Sequence, residues 1–495
     1  MEKSWATSKG AAEAAAEAAP GVAPEAGVGA GADFHLDLSG PGGVRASLIS
    51  ALREAVRSGR LAPGSRLPSS RTLAADLGLA RNTVADAYGE LVAEGWLTAR
   101  QGSGTRVARR AAARPPERRT PPVRTPRRPA YNLRPGSADV SAFPRAAWLA
   151  AARRAMAAAP HDAFGHVDER GRIELRTALA GYLARARGVH ADPERIVVCA
   201  GFTQGLGLVS RVLRQRGTRE MGVEEYGLWF HREALERAGL RCLPMPLDGE
   251  GAGIGVLEGG KAGARSVLIT PAHQFPTGVP LHPDRRAAVV DWAARTGGTI
   301  LEDDYDGEFR YDRQPVGALQ GLAPERIVYF GTASKSLAPG LRLAWMVLPE
   351  HLAGEVLAHK QAGEWSSGAL EQLTLAEFLK SGAYDRHVRA MRLRYRRRRD
   401  RLVEVLAERA PHIKVTGIAA GLHAVLELPP GTEHPTLQAA AWEGLALEGL
   451  SHLRSTPPAT GDPTPDGLIV GYGTPPDHAF PGALEALLRV LPPAE

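Results

Sequence analysis

The sequence predicts a multi-domain chain in which a small winged helix-turn-helix precedes a large α/β domain. Three observations carry that expectation. A length of 495 residues corresponds to about three folding units at roughly 100–200 residues per domain. The net charge of +7 is unevenly laid out: −4 over residues 1–40, +4 over 41–107, +8 over 108–135 and about −1 over the rest. From about residue 136, short apolar runs alternate with helical stretches, the pattern of a largely parallel sheet covered on both faces.

Two cysteines, Cys199 and Cys242, are too few for a disulfide framework or a four-thiolate zinc site and point to a reducing compartment. No run of 18 or more apolar residues occurs, and the N-terminus lacks the apolar stretch of a signal peptide. The chain is therefore expected to be cytoplasmic, without a membrane partner or a metal. Residues 1–40 are mostly Ala, Gly, Glu, Pro and Val and read as a disordered tail. Residues 109–135, rich in arginine and proline, read as an extended linker, either a solvated spacer or a supplementary contact to phosphates.

Residues 41–108 hold the compact pattern. Val44, Leu48, Leu52 and Val56 recur at spacing four and lay one apolar stripe on a helix ending near Gly59. After the turn Leu61-Ala-Pro-Gly64, Ser69 or Ser70 can cap a second helix that carries Leu73, Ala74 and Leu77 and stops at Gly78. A third helix, about Ala80 to Glu94, turns Val84, Ala87, Tyr88 and Leu91 inward. Two short strands, Trp96–Thr98 and Thr105–Val107, flank the glycine turn Gln101-Gly-Ser-Gly104 and complete a wing.

A recognition helix presents its first turn to base edges, and here that turn carries Arg81, Asn82 and Thr83, suited to guanine, adenine and phosphate. Arg66 and Arg71 flank the preceding turn and can clamp phosphates, while Gly102 and Gly104 let the wing approach the minor groove. The alternative is an arginine-bearing domain that binds protein. The segment LREAVRSGRLAPGSRLPSSRTLAADLGLARNTVADAYGELVAEGWLTARQGSG resembles the GntR family of bacterial transcription factors almost throughout, which implies binding to double-stranded DNA.

In the large domain, the runs Arg195–Cys199, Ser266–Ile269, Thr299–Leu301 and Arg326–Phe330 read as strands, each followed by a polar, glycine-containing segment. Gly331-Thr-Ala-Ser-Lys335-Ser-Leu-Ala-Pro-Gly-Leu-Arg342 surrounds one lysine with small hydroxyls and places an arginine seven positions on. That suits a phosphate anchor beside an amine able to form a Schiff base with pyridoxal phosphate; by itself it also suits an ordinary phosphate-binding turn. In Ile300-Leu-Glu-Asp303-Asp304-Tyr305-Asp306 a carboxylate can face a pyridine nitrogen and a phenol the ring's 3-oxygen. A metal-binding acidic loop is the alternative, and no histidine or further carboxylate lies at useful spacing. Ala200-Gly-Phe-Thr-Gln-Gly205 opens a helix whose N–H groups and Thr203 can hold a phosphate. Thr270-Pro-Ala-His273-Gln274-Phe275-Pro276-Thr277-Gly278 puts a polar and then an aromatic residue beside the ring.

These loops, in this order, resemble the class I aminotransferases (fold type I of the pyridoxal-phosphate enzymes) over residues 136–495. Joined to the GntR-like head, the chain resembles the MocR/GabR-type regulators; HQFPTG, EDDYDGEFRY and SKSLAPGLRLAW are close to their signatures. The resemblance implies a large mixed or parallel sheet with a small C-terminal α+β subdomain, and a head-to-tail homodimer. It implies that Lys335 carries the cofactor covalently, Asp303 meets the pyridine nitrogen, Tyr305 the 3-oxygen, and Ser334 with Arg342 the phosphate. Thr203, Gln204 and Thr332 complete the expected cofactor-binding set.

The chain departs from the aminotransferase pattern in places. Phe275 stands where those enzymes carry an oxygen-holding asparagine, leaving Gln274 or His273 to substitute. Leu228 aligns with the ring-stacking aromatic, whose role passes to Tyr226, Trp229 or Phe230. Arg454 is the candidate for a ligand's carboxylate. The run from Arg392 to Arg401, though basic, lies inside a helical pattern (Met391, Leu393, Leu402, Val405) and reads as a solvated helix face rather than a nucleic-acid patch. The expected function is a transcription regulator whose aminotransferase-like domain senses an amine, an amino acid or pyridoxal phosphate itself. The alternatives are a working aminotransferase with an accessory DNA-binding head and a repressor whose large domain has lost its cofactor.

Overall fold

In a computed structural model of the chain, residues 36, 38, 42–100, 102–109, 129–165, 168–257, 264–311, 316–363, 368–455 and 465–494 are described. The tail therefore lies almost wholly outside the described residues, as do residues 110–128 of the linker. Two compact units emerge, Met1–Pro126 and Arg127–Glu495.

In the first unit, helices α1 (Gly43–Arg57), α2 (Ser70–Leu77) and α3 (Arg81–Ala93) precede a hairpin of β1 (Leu97–Arg100) and β2 (Gly104–Val107). The strands are antiparallel, with Leu97 opposite Val107 and Arg100 opposite Gly104. Leu48, Leu52, Leu73, Val84, Leu91 and Leu97 form its core. The α1 stripe starts one turn later than its spacing suggests, because Val44 in the first turn is 49% exposed. Ser69 is the cap of α2, its hydroxyl accepting the Thr72 N–H at 3.1 Å. The first strand begins at Leu97 rather than Trp96 and runs to Arg100.

The second unit is built on seven strands: β3 (Ile196–Cys199), β4 (Glu220–Glu224), β5 (Arg241–Met245), β6 (Ser266–Ile269), β7 (Thr299–Asp303), β8 (Ile327–Thr332) and β9 (Ala344–Val347). They lie in the order β3-β9-β8-β7-β6-β4-β5. Only β9 is antiparallel to its neighbours; the other pairs are parallel. Every residue of β3, β7, β8 and β9 is buried, because helices cover both faces and the strands have no wet side. Among those helices are α4 (Arg145–Ala158), α5 (Ile173–Arg187), α6 (Phe202–Gln215), α7 (Trp229–Arg237), α8 (Pro283–Thr296), α9 (Glu350–Gln361) and α10 (Ala369–Lys380). The parallel strands all end at one edge, and the functional loops gather there.

The long helix α11 (Ala383–Arg409) leads into an antiparallel sheet of β10 (Lys414–Thr416), β11 (Ala424–Glu427), β12 (Glu448–Gly449) and β13 (Gly467–Val470), the C-terminal α+β subdomain. On α11, Met391, Leu402 and Val405 are buried, but Leu393 is 55% exposed. Its basic run is only partly solvated: Arg398 is buried and pairs with Asp139 at 2.8 Å and Asp477 at 2.6 Å, and Arg392 donates to the Glu308 carbonyl. Tyr131–Asn132, within the stretch read as linker, pairs in parallel with Leu445–Ala446, and Leu133 is buried beneath. That end of the stretch is thus part of the large unit.

Candidate functional site

In the head, Arg81 and Asn82 are exposed and Thr83 is half-buried, all in the first turn of α3. The Tyr88 hydroxyl donates to the Pro68 carbonyl at 3.1 Å and ties α3 to the turn before α2. Arg71 is exposed in the first turn of α2. Arg66 is also exposed, and its guanidinium lies against the wing: a Cβ on Gly104 would sit 3.2 Å from its Nε. Gly102 and Gly104 both have positive φ, at 85° and 79°, so the wing tip is a surface of backbone flanked by arginine.

In the large unit a cavity of about 330 Å³ opens at the carboxyl edge of the sheet. Thr203, Asp303, Tyr305, Thr332, Ser334, Lys335 and Arg342 all line it, brought from four strand ends. Gln204 does not. Its carbonyl oxygen turns back to accept the Ala200 N–H at 2.7 Å, shaping the turn before α6.

Lys335 donates its amine to the Gly136 carbonyl. Burial lowers its pKa, opposed by the carboxylates of Asp303 and Asp306, which favours the neutral, nucleophilic amine. Asp303, at the end of β7, is held well above the usual carboxylate range by burial, with Lys335 opposing. Among the described residues no hydrogen bond reaches its carboxylate. Such a group costs free energy until a cation meets it. Thr332 accepts the Ser334 N–H at 3.1 Å and donates to its hydroxyl at 2.9 Å, fixing the start of the lysine turn.

Gly201 and Arg342 form the other end of the cavity. Arg342 has φ 53°, the only positive φ outside glycine among the described residues, and its side chain reaches the N-terminus of α6. A Cβ on Gly201 would fall 2.7 Å from an Arg342 Nη, so only glycine lets the guanidinium and the first N–H groups of α6 share one spot, a natural anion cradle. Gly201→Ala is expected to displace Arg342 and to weaken binding of a phosphorylated ligand about tenfold, measured by titration against the wild-type chain.

Other lining residues were not predicted from sequence. Glu224, at the end of β4, is pushed up to about 7 by burial although it accepts bonds from Thr270 and Gln274. His231 is pushed down to about 3 by burial, with Lys335 and Arg232 adding to it, and its ring lies 4.6 Å from both Phe202 and Phe230. Leu228, Tyr226 and Phe230 line the cavity, whereas Trp229 does not and is 50% exposed. The HQFPTG loop differs from expectation. The Gln274 side chain is spent on Glu224, Thr277 and the carbonyls of Tyr226 and Phe275, so it cannot replace the missing asparagine. His273 stands behind Tyr305, outside the cavity wall.

Arg454 is not a lining residue either. Its Nε pairs with Glu225 at 2.7 Å, and its guanidinium lies 5.9 Å from the Tyr226 ring centre. Arg232, which does line the cavity, donates to the carbonyls of Gly227 and Leu453 at 2.9 and 3.2 Å. Among the described residues no group of His, Cys, Asp and Glu is suited to a metal ion, and no helix is long and apolar enough to cross a membrane.

A winged helix-turn-helix joined to an α/β domain with these loops at its sheet edge defines a class of DNA-binding proteins built on an enzyme-like scaffold. Residues 45–107 match the model of the gntR family of bacterial regulatory proteins, and residues 136–462 that of aminotransferase class I and II. The chain is 33% identical to the pyridoxine biosynthesis transcriptional regulator PdxR of Corynebacterium glutamicum, over 88% of this chain and 93% of that protein. It is 31% identical to the probable rhizopine catabolism regulatory protein MocR of Rhizobium meliloti, over 86% and 89%. The large unit shares its fold with an archaeal alanine:glyoxylate aminotransferase: TM-score 0.65 and 23% identity, covering 73% of this chain and 90% of that one. The chain belongs to the MocR-type family of helix-turn-helix transcription regulators, with a GntR head and an aminotransferase class I and II domain.

Proposed function

We propose that this regulator binds pyridoxal 5'-phosphate in the large-unit cavity and that the cofactor itself, rather than an amino acid, is the molecule sensed. The residues suit the group. The buried Asp303 carboxylate, bare of hydrogen bonds among the described residues, wants a protonated ring nitrogen, and the cradle of Gly201, Thr203, Ser334 and Arg342 wants a phosphate. Lys335 would hold the cofactor covalently, and Tyr305 would meet its 3-oxygen. When bound, the group supplies an aldehyde that a lysine or an incoming amine can capture.

The observation that carries the choice of effector is the fate of two arginines, Arg454 outside the cavity wall and Arg232 in it. Arg454 is engaged by Glu225, and Arg232 is spent on backbone carbonyls, so neither is poised to take an amino acid's carboxylate. The similarity to a regulator of pyridoxine biosynthesis points the same way. A homodimer belongs to this reading, with the head-to-tail pairing that the family resemblance implies. Leu149 and Met156, seven apart on α4, and the nearby Phe164 and Ile173 are each about half exposed, an apolar surface suited to a second copy.

Footprinting of the full chain on DNA upstream of its own gene tests the proposal. Pyridoxal phosphate alone is expected to change operator affinity by about 5–150-fold, the usual size of an allosteric coupling. Arg81→Ala should cost about 1–3 kcal/mol of operator binding and leave cofactor uptake intact. A footprint indifferent to pyridoxal phosphate but moved by an amino acid would reverse the choice of effector. Keto acid accumulating from an amino acid would instead favour a working aminotransferase.

A further inference from the structure

A second cavity, of about 400 Å³, is walled by the end of α5, the loop after β7 and the first turns of α11. It shares no lining residue with the first. Its size falls in the range of small-molecule sites, roughly 300–1,000 Å³, but its wall is charged. Arg187, Arg310, Arg389 and Arg392 line it together with Glu308 and Asp385.

Some of these charges are matched within the protein, and the remainder is positive. Arg187 is closed by Asp304, at 2.7 and 2.9 Å, and Asp385 by Arg185, at 2.7 Å. Arg392 spends Nε and Nη2 on the Glu308 carbonyl, at 2.8 and 2.6 Å. That bond holds the guanidinium still and neutralises no charge. Arg389 stands three positions before it on α11, on the same side of the helix. It is exposed, and among the described residues no carboxylate pairs with either arginine. The acid that remains is Glu308. Its Oε1 accepts the Tyr182 hydroxyl at 3.2 Å, and burial, with Asp304 adding to it, pushes its pKa up to about 7. At neutral pH it is only partly charged and cannot balance two guanidiniums. Even without Arg310 the surplus is positive.

Guanidinium groups offer pairs of N–H donors that match the oxygens of a phosphate or a carboxylate. Two of them on one wall, with no carboxylate of their own, make a place for an anion. The volume leaves room for more than a bare ion, and the Tyr182 phenol and the Glu308 carboxyl can meet hydroxyl groups. We propose that this cavity is a second binding site, for a small organic oxyanion whose phosphate or carboxylate group is gripped by Arg389 and Arg392 and whose hydroxylated body reaches Glu308 and Tyr182. The site does not depend on the cofactor reading given above, because Lys335, Asp303 and Arg342 take no part in it. It gives Arg392, the first residue of the basic run on α11, a ligand to hold.

The test is calorimetric titration of the full chain, at fixed ionic strength, with glycerol 3-phosphate, with succinate and, as a neutral control, with glycerol. The first cavity has an anion cradle of its own, so each titration is repeated in Arg342→Ala. One of the two anions is expected to bind at one equivalent per chain and to survive Arg342→Ala, and the tighter of the two names the charged group. Arg389→Ala should weaken that binding about tenfold, and Arg389→Glu should abolish it. Both changes fall at an exposed position with no contact to break, so the urea midpoint of the chain should stay where it is. No binding of either anion up to ~10 mM, equal binding of glycerol, or binding indifferent to Arg389→Glu would overturn the proposal. Binding lost in Arg342→Ala but kept in Arg389→Glu would place the anion in the first cavity, which overturns the second site and leaves the cofactor reading standing.

Discussion

Lys335→Ala is expected to abolish covalent retention of pyridoxal phosphate altogether. Wild-type chain incubated with the cofactor and passed through a desalting column should keep absorbance at ~420 nm, and borohydride should fix the group to residue 335. The variant should show neither. The reason lies in the surroundings of the amine. It is half-buried, desolvation lowers its pKa, and apart from the Gly136 carbonyl it faces the cavity. Truncation therefore removes the nucleophile without breaking an ion pair. The cradle of Gly201, Ser334 and Arg342 is untouched, so reversible binding of the cofactor, without the ~420 nm band, should survive. A Lys335→Ala chain that still carried a borohydride-fixed cofactor would show that another amine does the work.

Removing Arg187 should cause the largest loss of stability. Its Nε and Nη2 meet Asp304 Oδ2 and Oδ1 at 2.7 and 2.9 Å, its Nη1 donates to the Gly307 carbonyl at 3.0 Å, and Tyr329 donates to Asp304 at 2.8 Å. The two side chains are 3% and 1% exposed. Breaking one partner of such a pair strands the other charge away from water, at a cost of about 3–5 kcal/mol. Arg187→Ala and Asp304→Ala should each lower the urea midpoint accordingly, whereas joint replacement by Met and Leu should cost less than either. Additive losses in the double variant would contradict this account. Because Asp304 separates Asp303 from Tyr305, the single variants should also weaken cofactor uptake, through the loop rather than through contact.

Much of the architecture is legible along the chain because it is written in local signals. The α3 stripe, the Ser69 cap and the glycine turn of the wing depend on residues a few positions apart, as do the strand runs read to Cys199, Ile269 and Leu301, the last of which extends two residues further, to Asp303. Stripes mislead only at their ends: Val44 and Leu393 continue a spacing beyond the surface that buries it. What stays hidden is contact made by folding. Nothing near Arg454 in sequence announces Glu225, 229 positions away. His231 enters the cavity only because α7 packs beside Phe202, and Gly136 meets Lys335 across 199 positions. Gln204 and Gln274 look like ligands in a motif, yet their amides serve the turns that carry them.

The single antiparallel strand β9 has a temporal consequence. β3 is joined to the sheet through β9 alone, and β9 is made after every other strand of that sheet. The turn at Gly201 is therefore synthesised early but cannot stand beside Lys335 and Arg342 until residues 344–347 have slid between β3 and β8. A ribosome-bound chain halted before that point holds the lysine but not the phosphate cradle, so cofactor uptake would report that the sheet has been completed. If the proposed cofactor is the signal, a chain of this design could not answer it before the sheet is complete.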